Sequence, residues 1–112
     1  MKFIAAGTPR VVSRAIEELA RSQGSVNAIV VPWESDDTTL SMAVTAVKSD
    51  GWAIEHTNLG TIRLVGEGED RTGVAIAAEL AGQPEPETLA AVFDRFVRQI
   101  QSRLQLESSQ QS

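Results

Sequence analysis

Histidine occurs once in this chain, at position 56, and cysteine and tyrosine do not occur at all. Side-chain chemistry near neutral pH draws on groups that titrate, ligate a metal or attack carbon. Here that inventory reduces to His56, scattered carboxylates, and hydroxyls that need an activating base. A general acid or base at His56 would draw on Glu34, Asp50 or Glu55, with Trp52 and Trp33 lining a pocket. Neighbours on a strand point to opposite faces, so Glu55 cannot orient the ring of His56. A zinc site would need at least two further ligands, all carboxylates, a poor match to usual zinc shells. The reading is therefore no catalytic set, no metal and no cofactor, with His56, Trp52 and Trp33 as ligand-binding candidates.

Two loops invite chemistry and decline it. Trp33-Glu34-Ser35-Asp36-Asp37 offers hard oxygens, but its acids match no calcium-loop spacing and suit a helix N-terminus better. Gly66–Gly73 is glycine-rich, yet no Gly-Lys-Ser/Thr follows and its three acids would repel a phosphate. The arginines remain. Arg10, Arg14 and Arg21 fall on one helical segment, and Arg95, Arg98 and Arg103 on another. Adjacent packing of those segments would make a patch for an acidic partner. No aromatic residues interleave to stack on bases, which argues against nucleic acid.

Charge and length bound the rest. The chain has 112 residues and a net charge of −5, with eleven acids against three bases over 34–87. A field of that sign does not steer a protein onto a phosphate backbone. A hydrophobic fraction of 42% suffices for one core, and the length suits one domain over 1–106, with a frayed polar tail over 107–112. Without cysteine there is no disulfide framework, and no apolar run approaches the ~20 residues of a membrane span. The expectation is a cytoplasmic protein with no membrane association.

These side chains are positioned by elements of unequal clarity. Pro86 opens a helix in which Leu89, Val92, Phe93, Phe96, Val97, Ile100 and Leu104 recur on one face. Thr8, Pro9 and Gly24 bracket another, with Val12, Ala15, Ile16 and Leu19 inward. Met1–Ala6 and Val26–Val31 read as strands. Over 38–49, Leu40, Ala43, Val44 and Val47 share a helical face while Leu40, Met42, Val44 and Ala46 alternate. Two clean helical faces outweigh the alternation, so the spacing predicts a helix there.

Asn58-Leu59-Gly60 fits a three-residue hairpin loop with Gly60 at positive φ. That register pairs His56 with Ile62, Glu55 with Arg63 and Ile54 with Leu64, and turns Trp52, Ile54 and His56 to the core. Val74–Glu79 follows as a further strand. The sum is an α+β domain: an antiparallel sheet of about four or five strands, helices packed on one face, and a long C-terminal amphipathic helix. The other face would show Ala53, Glu55, Thr57, Arg63, Val65, Ala75 and Ala77.

That surface shapes the functional expectation: a small acidic, non-enzymatic protein-interaction or regulatory adaptor domain acting as a homodimer. Its candidate interaction residues are Ala53, Glu55, Arg63, Val65, Ala75 and Ala77, with Arg95 and Arg98 on the last helix. The alternatives are a small enzyme or ligand-binding domain using His56 near Trp52, and nucleic-acid binding through the helix arginines.

Overall fold

The computed structural model describes residues 1–36, 38–49, 51–83 and 85–105. The order is β1 (Lys2–Ala6), α1 (Pro9–Gln23), β2 (Val26–Val30), β3 (Thr39–Ser49), β4 (Ile54–Gly66), β5 (Arg71–Ala78) and α2 (Pro86–Leu104). Both helices begin and end on the expected chemistry at three of four termini. The Thr8 hydroxyl accepts from the Val11 N–H at 3.3 Å, Pro9 follows, and Gly24 closes α1 at φ 77°. Pro86 starts α2 behind Glu85, which sits at φ 50° and makes no side-chain cap.

The sheet is antiparallel throughout, in the order β1-β5-β4-β3-β2. The consecutive strands β1 and β2 therefore lie on opposite edges, and α1 must carry the chain across. At ~1.5 Å per residue its 15 residues span about 22 Å, enough to cross five strands ~4.8 Å apart. Accordingly α1 touches β2, β3, β4 and β5, and α2 lies beside it. One core joins Val12, Ile16 and Leu19 of α1 and Phe93, Phe96, Val97 and Ile100 of α2 to one face of the sheet. Burying each such large side chain contributes about 1.5–3 kcal/mol.

Two expectations are corrected, and they share a cause. Residues 39–49 form a strand, not a helix. Leu40, Met42 and Val44 alternate into the core while Ser41 and Ala43 turn away, because β2 and β4 flank this segment on both sides. Asn58–Gly60 is not a hairpin loop but the middle of β4, a continuous strand of 13 residues. Val44 pairs with Gly60 and Thr45 with Asn58, leaving Leu59 as the extra residue of a β-bulge.

The expected pairs of His56 with Ile62, Glu55 with Arg63 and Ile54 with Leu64 are therefore absent. Val47 faces His56, Lys48 faces Glu55, Ser49 faces Ile54, and Arg63 lies between Ser41 and Ala75. Gly60 is not among the positive-φ glycines. The hairpin turn is instead the connection from β3 to β4, where Gly51 takes φ 93°.

The bulge also flips the strand. Leu59 and Gly60 both point toward the helices, so Ile62 and Leu64 beyond them are core residues while Ile54, His56 and Asn58 before them face the other way. Leu59 is fully buried. The β3–β4 pair continues past the ends of β2 and β5, whose last paired positions reach Ala46 and Gly60. It forms a two-stranded arm with Trp52 at the turn. The expected frayed tail over 107–112 lies outside the described residues.

Candidate functional site

Helices cover one side of the sheet; among the described residues the other side is open, and its composition follows from the register. Ile4, Gly73, Val65 and Thr39 make one row across β1, β5, β4 and β3. Lys2, Ala75, Arg63 and Ser41 make the next, and Ala77, Thr61, Ala43 and Ile29 a third that reaches β2. Beyond the bulge the same face continues through Thr45 and Asn58 to Val47 and His56 on the arm. The side chains are small, β-branched or aliphatic, and the charges standing in the rows are Lys2 and Arg63. Both sheet edges are partly protected: Ala5 of β1 bridges to Gln105 after α2, and Ala28 of β2 is only 3% exposed. The open surface is thus a face.

One feature of that face has relief. Gly73 leaves a gap in its row, flanked by Ile4 on β1 and Val65 on β4. With Lys2, Ala75 and Glu67 it forms a mainly apolar groove of about 390 Å³. The three atoms nearest to a Cβ placed on Gly73 all belong to the Glu67 side chain, its Oε1 at 2.9 Å, Cγ at 3.3 Å and Cδ at 3.4 Å. The Glu67 side chain therefore lies across Gly73 and fills that gap.

The candidate residues fall in four places. Arg63, Val65, Ala75 and Ala77 share the open face. Ala53 and Glu55 belong to the arm, and Glu55 points to the opposite side from Arg63 because the bulge intervenes. His56 is exposed on the open side of the arm, its Nδ1 3.2 Å from the Thr45 hydroxyl, rather than on the core side. Trp52 stands at the tip, 98% exposed, and Trp33, 82% exposed, sits in a short 3-10 turn at Pro32–Glu34. The full length of β3, 11 residues or about 36 Å, separates the two tryptophans. They do not line a common pocket.

Arg95, Arg98 and Arg103 line a groove of about 560 Å³ along α2, with Leu19 of α1 at its side. Arg98 donates to Asp94 at 2.9 Å, and the Gln23 amide donates to Gln99 between the helices. That ion pair joins two exposed side chains and contributes little. Arg10 and Arg14 lie elsewhere, beside Ser35 and Asp36.

The acidic loop has a structural assignment. Asp36 Oδ1 accepts from the Thr38 N–H at 2.8 Å and the Thr39 N–H at 2.7 Å, which sets the entry into β3. Those bonds, that of Thr38 first and then that of Thr39, hold its carboxyl below the ordinary range, with a smaller contribution from Arg63. Among the described residues, no three His, Asp or Glu side chains converge where a metal could sit, and no helix is long and apolar enough to cross a membrane.

Sequence reasoning did not reach Ile4, Ile29, Ala43, Val47 or Gly73 as members of the open face. The signal was present in the alternation over 39–49. Compared with known proteins, the chain matches no family model, no curated protein and no solved structure.

Proposed function

We propose that this chain is a non-enzymatic protein-interaction domain that works as a homodimer, using the open face of its sheet. The observation that carries this reading is the run of small and aliphatic side chains, Ile4, Ile29, Ala43, Val65, Ala75 and Ala77, on the face that neither helix covers. Antiparallel sheets with one solvated face commonly alternate apolar inward and polar outward. Here every strand places at least one apolar side chain outward, interleaved with Lys2, Arg63, Ser41 and Thr61, and exposed apolar surface of this kind marks interaction sites. Small side chains permit a second sheet to approach to about 10 Å, the ordinary spacing of stacked sheets.

Light scattering over a dilution series tests it. The expected result is a dimer that dissociates on dilution, and a monomer when Ala77→Arg places a charge in the third row without altering the circular dichroism spectrum. A chain that is monomeric at all concentrations overturns the homodimer.

A further inference from the structure

We infer that the free edge of the arm, Ile54–Asn58 of β4, docks an extended cationic peptide, which joins the sheet as a strand on the line of β5. The inference goes beyond the homodimer and does not depend on it, because this edge and the open face are different surfaces.

The edge follows from the ladder. β5 pairs with β4 from Gly60 to Gly66, and among the described residues no strand lies beside Ile54–Asn58 on that side. Pairing on the other side sets which backbone groups are left open. The Val47 N–H donates to the Ser25 carbonyl, so the backbone of Val47 turns to β2 and away from His56 opposite it. Such pairs alternate with hydrogen-bonded ones in an antiparallel ladder. The hydrogen-bonded pairs are thus Lys48 with Glu55 and Ala46 with Thr57. The N–H and C=O groups of Ile54, His56 and Asn58 point out of the arm, to the side where β5 has stopped. All three residues are exposed. The His56 ring does not cover them, since it leans toward β3 with Nδ1 3.2 Å from the Thr45 hydroxyl.

A row of open donors and acceptors is what strand addition uses. Proteins blunt such edges with lysine, proline or a covering segment, and Ile54–Asn58 contains neither lysine nor proline. The sheet's outer edges differ: Ala5 of β1 bridges to Gln105, and Ala28 of β2 is buried. One bond of the required kind already exists at the inner end, where the Glu79 N–H donates to the Leu59 carbonyl as the chain leaves β5. The docking edge begins where that bond ends.

Side chains select the occupant. Glu55 projects from one face of the edge and Glu79 stands at its inner end, both exposed. Lys48, across from Glu55 on β3, forms no ion pair with it among the described residues. Ile54 lies on the other face with His56. A peptide that alternates a cation with a β-branched residue sets its cation beside Glu55 and its apolar side chains beside Ile54, cross-strand pairings that stabilise a ladder. The chain's net charge of −5 attracts the same peptide at long range. A second copy fits less well. It brings the same acids, and a strand of about 17 Å falls short of the roughly 800 Å² that each partner buries in a stable interface.

The test follows the fluorescence anisotropy of a labelled peptide, Val-Lys-Val-Lys-Val, titrated with the full chain. The expected result is saturable binding, weakened at least about tenfold when the central valine is N-methylated, which removes a backbone donor and leaves every charge in place. His56→Pro removes a donor from the protein's side and is expected to act alike. That N–H lies outside the β3–β4 ladder, at an edge position where proline is accepted, and circular dichroism checks that the strands persist. Glu55→Lys weakens binding about threefold or more. Binding that survives both N-methylation and His56→Pro is charge attraction without strand addition and overturns the inference, as does no binding. A dimer that His56→Pro dissociates, in a chain that takes up no peptide, assigns the edge to a second copy and also overturns it. A monomeric chain that binds the peptide as expected overturns the homodimer and supports the docking edge.

Discussion

Gly60 and Ala77 approach so closely that a Cβ on Gly60 would overlap the Ala77 carbonyl oxygen and stand 2.9 Å from Phe93 Cζ. The contact joins three elements: the bulge in β4, the neighbouring strand β5, and α2 above them. It explains why glycine occupies a strand position where a side chain would otherwise favour the pleat.

Gly60→Ala is accordingly expected to destabilise the protein by about 3 kcal/mol, the upper end of the cost of overpacking, since backbone and a buried ring must both yield. Gly73→Ala is the control within the same sheet. Its nearest neighbours are atoms of the flexible Glu67 side chain, which can swing away, and the expected change is neutral to about 1 kcal/mol stabilising. Urea denaturation of the two variants measures the difference. Equal effects would refute the close approach at Gly60.

Leu59 separates the bulge from a hairpin loop. A leucine at a loop tip can be truncated at little cost, whereas this one is fully buried in the core. Leu59→Ala is expected to lose about 2–5 kcal/mol. A loss below about 0.5 kcal/mol in chemical denaturation would place the residue in solvent.

Thr72 is fully buried on β5 and its hydroxyl donates to the Gly7 carbonyl at 2.7 Å, tying the β1–α1 connection to the sheet. Thr72→Val keeps the shape and removes the donor, leaving the Gly7 carbonyl without that bond. The expected cost is about 1–3 kcal/mol. Thr72→Ser retains the donor and is expected to lose less; thermal melts that rank the two the other way would refute the bond's contribution.

Asp36 makes stability depend on pH in a defined direction. Its carboxyl is depressed below the ordinary value of 3.8 in the folded chain. The charged form therefore contributes stability that is fully present above 3.8 and is lost as pH falls through the lower, folded value. Asp36→Asn keeps an acceptor without the charge, so it is expected to be less stable than the parent at neutral pH. The two unfolding free energies should converge as the pH drops below 3.8. A constant gap down to strongly acidic pH would show that charge is not the cause.

Much of this architecture follows from local sequence. Thr8, Pro9 and Gly24 delimit α1, Pro86 opens α2, and the apolar stripe from Leu89 to Leu104 turns α2 onto the core. Those signals act over one or two turns of chain, so neighbours in sequence suffice to state them. The segment 39–49 is different. Leu40 and Val44 fit a helical face and an alternating strand equally well, and the tie is broken by backbone partners on β2 and β4.

The bulge at Leu59 lies further from what sequence can state. Its signature, Asn58-Leu59-Gly60, also describes a tight turn, and local propensity does not distinguish them. What distinguishes them is that β3 is a strand, that Leu59 has a core to enter, and that Ala77 and Phe93 leave no room for a side chain at Gly60.

Residue type alone therefore determined the two helices, the antiparallel α+β class and the scarcity of chemistry centred on the single His56. Tertiary structure decided which side of the sheet each β4 residue occupies. One extra residue in a ladder of period two inverts every position before it, and that inversion carries His56 and Ile54 from the core to the open face.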